Sequence, residues 1–73
     1  MEEHTGDLKK LVAVATDLGL ASELRIGAIK LIGDIGTHDA LLVLLNLVAH
    51  DQLTKKEKEL ALKYARDIVR AGH

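Results

Sequence analysis

Histidines and carboxylates are the side chains of this sequence whose types are most often used in metal binding and proton transfer. The four histidines are His4, His38, His50 and His73. Two imidazoles reach one ion from a single helix when they are four residues apart, and neither that spacing nor a His-Glu-x-x-His motif occurs here. Because the 73 residues also contain no cysteine, thiolate metal sites and disulfides are excluded. The sequence therefore predicts neither a bound metal ion nor any other cofactor.

Acid–base catalysis would require titratable groups that are held together in a partly dry cleft. The candidates are Asp17, Asp34, His38 and Asp39. Asp34 and Asp39 flank a predicted turn, where acids usually cap helices or point into water. Ser22 and Thr37 fall at expected capping positions, so neither is predicted to be a nucleophile. We predict that the chain is not an enzyme, and a pocket containing two of these candidates would contradict that prediction.

The last predicted helix has a basic face. Its members are Lys56, Lys63, Arg66 and Arg70. Glu59 and Asp67 interrupt this face, and Glu59 is spaced to pair with Lys63 one helical turn later. From residue 55 to the end there are six bases and three acids, yet the whole chain has a net charge of −1. This is far from the strongly basic composition of most nucleic-acid binders, so binding of a nucleic-acid backbone is the alternative function and a solvated face is favoured.

Apolar residues recurring every three or four positions indicate the helices that would position these groups. The helices are predicted at about residues 6–18, 23–35, 38–50 and 55–71 of one domain spanning residues 1–73. The buried faces of the first two are predicted to be Leu8, Leu11, Val12, Ala15 and Leu18, and Leu24, Ala28, Leu31, Ile32 and Ile35, with Ile26 and Ile29 widening the second face. Gly19, Gly36 and Gly72 should end three helices, and Thr54 with Glu57 should form a capping box. Short connections predict an all-α fold of four antiparallel helices.

The third predicted helix is apolar on nearly every side. Between Asp39 and His50 its one polar side chain is Asn46, and a helix apolar all round must be covered on most sides. We predict that it is the central helix, buried by at least two neighbours and by something outside the chain. Within the second helix, Gly27 and Gly33 are each unfavourable by up to about 1 kcal/mol relative to alanine. This predicts bulky groups pressed against them, with simple tolerance as the alternative.

One segment carries an arginine, then alanine, then a Gly-x-Ile-Gly ending, then Ala-x-x-x-Leu. The residues are Arg25, Ala28, Gly33, Ile35, Gly36, Ala40 and Leu44. This pattern resembles a HEAT repeat of the short bacterial and archaeal kind, also found in phycobilin lyases. The match covers one hairpin, and it departs at Ile32, where the family prefers leucine, and at the turn 37–39, which replaces Asp-Pro. The resemblance implies about two HEAT-like hairpins, as a right-handed solenoid fragment or a compact four-helix bundle, without lyase chemistry.

The function predicted from these features is protein–protein interaction, as a scaffold, adaptor or subunit. The expected binding surface consists of apolar residues on the third and fourth helices, namely Leu42, Val43, Leu62 and Val69. The partner is a protein of unknown identity, and a homodimer is among the expected assemblies. The amino terminus lacks a basic segment and an apolar run, and no apolar stretch reaches the length of a membrane span. We therefore expect a cytoplasmic protein with no membrane segment.

Overall fold

A computed structural model describes the backbone of residues 2–72 and the side chains of residues 7–72. It contains four α-helices and, within the described residues, no strand. The helices are α1 (Glu2–Ala15), α2 (Ser22–Ile35), α3 (His38–Val48) and α4 (Lys55–Arg70). The all-α prediction is confirmed, and three of the helices agree with the predicted bounds to within two residues. None of the helices in the described part of the chain combines the length and apolar character that crossing a membrane requires.

The first helix is the one whose predicted bounds are wrong. Its last residue is Ala15, and the chain then turns through Asp17, whose carboxylate accepts a hydrogen bond from the Gly19 amide at 2.9 Å. This Asx turn offers the backbone an alternative to another helical turn. Leu18 is consequently exposed and outside the core. Gly19, which was predicted to end this helix, lies four residues beyond its last residue and does not have the left-handed conformation of a helix-ending glycine.

The other helix ends follow the local sequence rules. Gly36 closes α2 with φ 68°, a left-handed conformation that glycine adopts without steric strain. Thr37 caps α3 by accepting a hydrogen bond from the Ala40 amide at 3.2 Å. The predicted capping box is confirmed, since the Thr54 hydroxyl accepts from the Glu57 amide at 3.1 Å and the Glu57 carboxylate accepts from the Thr54 amide at 2.9 Å.

The central helix is α2, not α3. Of the four helices, α2 alone packs extensively against all three others, whereas α1 packs extensively against α2 only. Helix α3 buries one face, and Leu42 and Leu45 on its other side are 47% and 45% exposed. The prediction that α3 is the central helix is therefore wrong, whereas its burial by two neighbours is confirmed, because α3 packs against α2 and α4. Because α1 lies mainly on α2, none of the described residues of α1 covers the outer side of α3, and cover by something outside the chain stays a prediction.

The core is made of aliphatic side chains with alanines between them. Ile29, Ile32 and Leu44 are fully buried. The alanines with at most 3% exposure are Ala15, Ala28, Ala40, Ala61 and Ala65. Small residues at these positions let the helix axes approach, and the radius of gyration of 11.2 Å equals the value of about 11 Å expected for a compact chain of this length.

The buried face of α2 differs from the predicted one. Leu24 and Leu31, which were predicted to be buried, are exposed. Arg25 is buried instead, together with the predicted Ala28, Ile29 and Ile32. The helix is thus rotated toward Arg25, because this arginine has a buried partner on α4 that the apolar pattern does not reveal.

Candidate functional site

Two open grooves flank helix α1. The first, the α1/α2 groove, has a volume of about 580 Å³ and is lined by Asp7, Lys10, Leu11, Leu31, Asp34 and Ile35. The second, the α1/α3 groove, has a volume of about 410 Å³ and is lined by Leu8, Lys9, Val12, Asp39, Leu42 and Val43. Both volumes lie in the range of about 300 to 1,000 Å³ that is typical of binding clefts. They exist because α1 rests on α2 and leaves space on either side of itself.

The residues predicted to bind a partner lie in two places. Leu42 and Val43 come together in the α1/α3 groove, Leu42 exposed and Val43 half-buried against the core. Leu62 and Val69 lie on α4, where a separation of seven residues places them on one side of the helix. Their side chains are 36% and 59% exposed, and neither lines the two grooves. The structure therefore divides the predicted surface into a groove and a separate apolar pair.

The basic face of α4 is exposed as a whole. All four predicted cations, Lys56, Lys63, Arg66 and Arg70, point away from the core. The Lys63 ammonium lies 5.5 Å from the centre of the Tyr64 ring, within the range of a cation–π contact. None of the four is in a salt bridge among residues 7–72. These four exposed cations can bind a polyanion or remain in contact with water.

The candidate catalytic groups are dispersed. Asp34 lines the α1/α2 groove and Asp39 the α1/α3 groove, so neither groove contains both carboxylates. Asp17 holds its own turn, and His38 is exposed at the start of α3. Within the described residues no three side chains of metal-ligating type come together. The side chains of His4 and His73 lie outside the described residues.

Among the described residues, His50 alone has a buried polar side-chain atom without a hydrogen-bond partner. Its Nδ1 atom is buried and has no hydrogen-bond partner there. The backbone around it is held, because the His50 amide donates to the Leu47 carbonyl at 3.1 Å and the His50 carbonyl accepts from the Leu53 amide at 3.2 Å. His50 lines neither groove, so it stays a feature of the turn between α3 and α4.

A buried ion pair between α2 and α4 is the feature that sequence reasoning missed. Glu57 is fully buried and Arg25 is 8% exposed. The guanidinium donates from Nε and Nη2 to one Glu57 oxygen at 3.1 and 2.9 Å, and the Ser22 hydroxyl donates to the same oxygen at 2.6 Å. Ser22 was predicted to cap α2, but its hydroxyl is used here and the N-cap residue is Ala21.

The same arginine also holds the turn between α1 and α2. Its Nη1 donates to the Leu20 carbonyl at 2.7 Å and to the Asp17 carbonyl at 3.4 Å. One guanidinium thus joins the α1–α2 turn to the start of α4. The position of Arg25 on the apolar side of α2 is a signal that could have revealed the pair. A second signal was the position of Glu57, the capping-box glutamate, which lies on the same face of α4 as the buried Ala61.

The charged state of Glu57 is the favoured one. Burial raises the pKa of this carboxyl, but hydrogen bonds from Ser22, the Thr54 amide and Arg25, together with the positive charge of Arg25, lower it from 4.5 to about 2. The pair is therefore ionised at neutral pH. Because the carboxylate is fully buried and all its contacts are internal, its role is to hold α2, α4 and a turn together.

The described surface therefore offers two apolar grooves, an apolar pair on α4 and a basic face on the same helix. These features can bind macromolecules through apolar burial or charge. No protein-family model matches the sequence, and neither a curated protein nor a solved structure is significantly similar to it.

Proposed function

We propose that this chain is a non-catalytic protein–protein interaction module, built as HEAT-like helical hairpins and acting as a scaffold, adaptor or subunit in the cytoplasm. The observation that carries the proposal is the α1/α3 groove, which has an apolar floor between two charged rims. Apolar grooves between helices accept the apolar face of a partner helix. The proposal also explains why α3 keeps apolar residues on the side that this chain leaves uncovered.

The amount of exposed apolar surface supports this function. Seven large apolar side chains of the described residues are at least 36% exposed, namely Leu18, Leu24, Leu31, Leu42, Leu45, Leu62 and Val69. Single exposed leucines are ordinary, whereas grouped ones mark interaction sites. Covering the exposed half of Leu42 would contribute about 1 kcal/mol. Two of the seven, Leu42 and Leu45, lie three residues apart on α3, and two more, Leu62 and Val69, lie on one side of α4.

The test is retention of proteins from an extract of the source cell on the immobilised chain, with nuclease present. Two variants remove the proposed surfaces, Leu42→Asp in the groove and Leu62→Asp with Val69→Asp on α4. Leu24→Asp is the matched control, because Leu24 is equally exposed but lies in neither groove and not on α4. We expect a retained protein that resists nuclease, persists with the control and is lost with at least one variant. Equal retention by all four chains would contradict the proposal.

Binding of a nucleic-acid backbone is the second candidate, and the exposure of the four cations on α4 favours it. Each phosphate contact releases counterions, so retention of DNA or RNA should fall steeply as salt rises. The variant Lys63→Ala, Arg66→Ala, Arg70→Ala should abolish this retention. A control with the same loss of charge is Lys9→Ala, Lys10→Ala, Lys30→Ala on α1 and α2. Equal retention by both triple variants would remove this candidate.

A further inference from the structure

We propose that the α1/α3 groove binds the α1/α3 groove of a second copy of this chain, giving a dimer with twofold symmetry. The inference rests on the proposed function and names the partner of one of its surfaces. The floor of the groove is apolar, with Leu8 and Val12 from α1 and Leu42 and Val43 from α3. The exposed edge of this floor is Leu42, so the dimer would cover the part of the open side of α3 that borders α1 and leave Leu45 outside the interface.

The two rims of the groove carry opposite charges. Lys9 stands on the α1 rim and Asp39 on the α3 rim. Neither has a salt-bridge partner among residues 7–72. In a twofold interface every contact occurs twice: if one residue of the first copy touches another residue of the second copy, the same two residues also meet with the copies exchanged. Facing grooves would therefore place Lys9 of each copy against Asp39 of the other, which forms two ion pairs.

Charge also distinguishes this groove from its neighbour. The α1/α2 groove has two carboxylates, Asp7 and Asp34, and one ammonium, Lys10. Two copies meeting there would bring excess negative charge together, and like charges across an interface oppose association. Among residues 7–72, the α1/α3 groove has one charge of each sign and is self-complementary. A second copy is thus the occupant that its charges fit.

The size of the chain sets the expected strength. A standard interface buries about 800 Å² of each partner, and the chain exposes 4750 Å² in total. An interface limited to one groove and its rims would be smaller than the standard one. We therefore expect a dimer with a dissociation constant in the micromolar range, which sedimentation equilibrium measures on the purified chain.

The first experiment compares two exposed leucines of α3. Leu42 lines the groove and Leu45 does not, although they are 47% and 45% exposed. Because each substitution acts twice in a symmetric dimer, Leu42→Asp should weaken dimerisation about a hundredfold. Leu45→Asp should leave it within about threefold of the parent. Equal effects of the two substitutions would overturn the proposed groove.

The second experiment exchanges the rim charges between copies. Lys9→Glu alone places two carboxylates together at each pair, and Asp39→Lys alone places two ammonium groups together. Each single variant should therefore dimerise roughly tenfold more weakly than the parent. When the two variants are mixed, every pair across the heterodimer has opposite charges, so association should return to about the parent level. A change of stability within one chain cannot produce this recovery on mixing.

The outcomes separate this inference from the proposed function. A chain that stays monomeric up to about 1 mM, or mixed variants that fail to associate, would overturn the second copy as partner. Retention of a different protein from the extract through Leu42 or through Leu62 and Val69 would still support the interaction module. A chain that neither dimerises nor retains any protein from the extract would contradict the proposed function as well.

Discussion

The two sides of helix α2 are built differently. Toward α4, α2 is held by the buried Arg25–Glu57 pair and by a close contact in which the Tyr64 ring lies against Gly33. Toward α1, α2 makes an apolar contact, and an open groove lies beside that contact with Leu31 exposed in it. The α4 side is thus closed by specific contacts within the chain, and the α1 side leaves apolar surface over.

The difference follows from the size of the chain. A domain of this length buries only about 60% of the surface that its unfolded chain exposes. Part of the apolar surface left over here lies in the two grooves on the flanks of α1, where Leu31 and Leu42 are exposed. We infer that the α4 side supplies most of the specificity of folding, while the α1 side is where binding would add to stability.

Removal of the arginine should have the largest effect. Arg25→Met would leave the Glu57 carboxylate buried without its countercharge, and breaking one partner of such a pair lowers the free energy of unfolding by about 3–5 kcal/mol. Since domains of this length are stable by only about 4–11 kcal/mol, the variant should unfold at much lower urea concentration. Far-ultraviolet circular dichroism during urea titration measures this.

The matched control replaces both members of the pair. Arg25→Met with Glu57→Met removes the uncompensated charge and should regain a large part of the lost stability, because apolar residues of similar volume often replace buried ion pairs with little loss. A double variant that is less stable than Arg25→Met would show that the countercharge is not the reason for the effect. The loss would then come from the capping box and the turn.

Acid should weaken the α4 side next most strongly. The pKa of Glu57 is lowered from 4.5 to about 2 in the folded chain, so its contribution is fully present above pH 4.5. Between pH 4.5 and 2 the unfolded chain binds a proton that the folded chain does not. The free energy of unfolding should therefore fall with pH across this window, by about 3 kcal/mol in total.

The control for the acid effect is Glu57→Gln, which keeps an acceptor for the Thr54 amide and has no charge to titrate. Urea titrations of the parent and the variant at several values between pH 5 and pH 2 compare the two slopes. The slope of the variant should be flatter. Identical slopes would mean that other carboxyl groups cause the acid sensitivity.

The features that could be predicted from the sequence are local ones. Thr37, Thr54 and Gly36 end or begin helices through contacts within three or four residues, so the flanking sequence determines them. The number of helices and the apolar part of the buried face of α4 follow from apolar spacing, since Ala61, Ala65 and Ile68 recur every three or four residues among charged ones. For these elements the local sequence contains all the necessary information.

The features that could not be predicted depend on where the helices pack. Helix α3 is apolar on all sides, so its sequence does not identify which leucines are buried, and Leu42 and Leu45 stay exposed. Glu57 was recognised as a cap, but its pairing with Arg25 spans 32 residues of chain. The grooves depend likewise on the position of α1. Whether Leu42, Val43, Leu62 and Val69 bind a partner stays a prediction.

Substituting alanine for the two interior glycines of α2 should change the stability in opposite directions. A Cβ at Gly33 would lie 2.8 Å from Cγ and 2.9 Å from Cβ of Tyr64, atoms near the backbone that cannot swing away, whereas a Cβ at Gly27 would meet nothing within 4 Å. Gly33→Ala should lower the free energy of unfolding by about 1–2 kcal/mol, and Gly27→Ala should raise it by up to about 1 kcal/mol. Thermal melting of both variants measures this, and a stabilising Gly33→Ala would mean that α4 can shift away from α2.

The smallest effect is expected on the α1 side of α2. Leu31 is exposed in the α1/α2 groove while Ile32, the next residue, is fully buried. Leu31→Lys should change the free energy of unfolding by less than about 0.5 kcal/mol, whereas Ile32→Ala, the control on the same helix, should lower it by about 2–5 kcal/mol. Urea titration at neutral pH distinguishes these values. If Leu31→Lys lowered the stability by about 2 kcal/mol, the α1 side would be a completed contact like the α4 side, and its groove would not be surface left over for a partner.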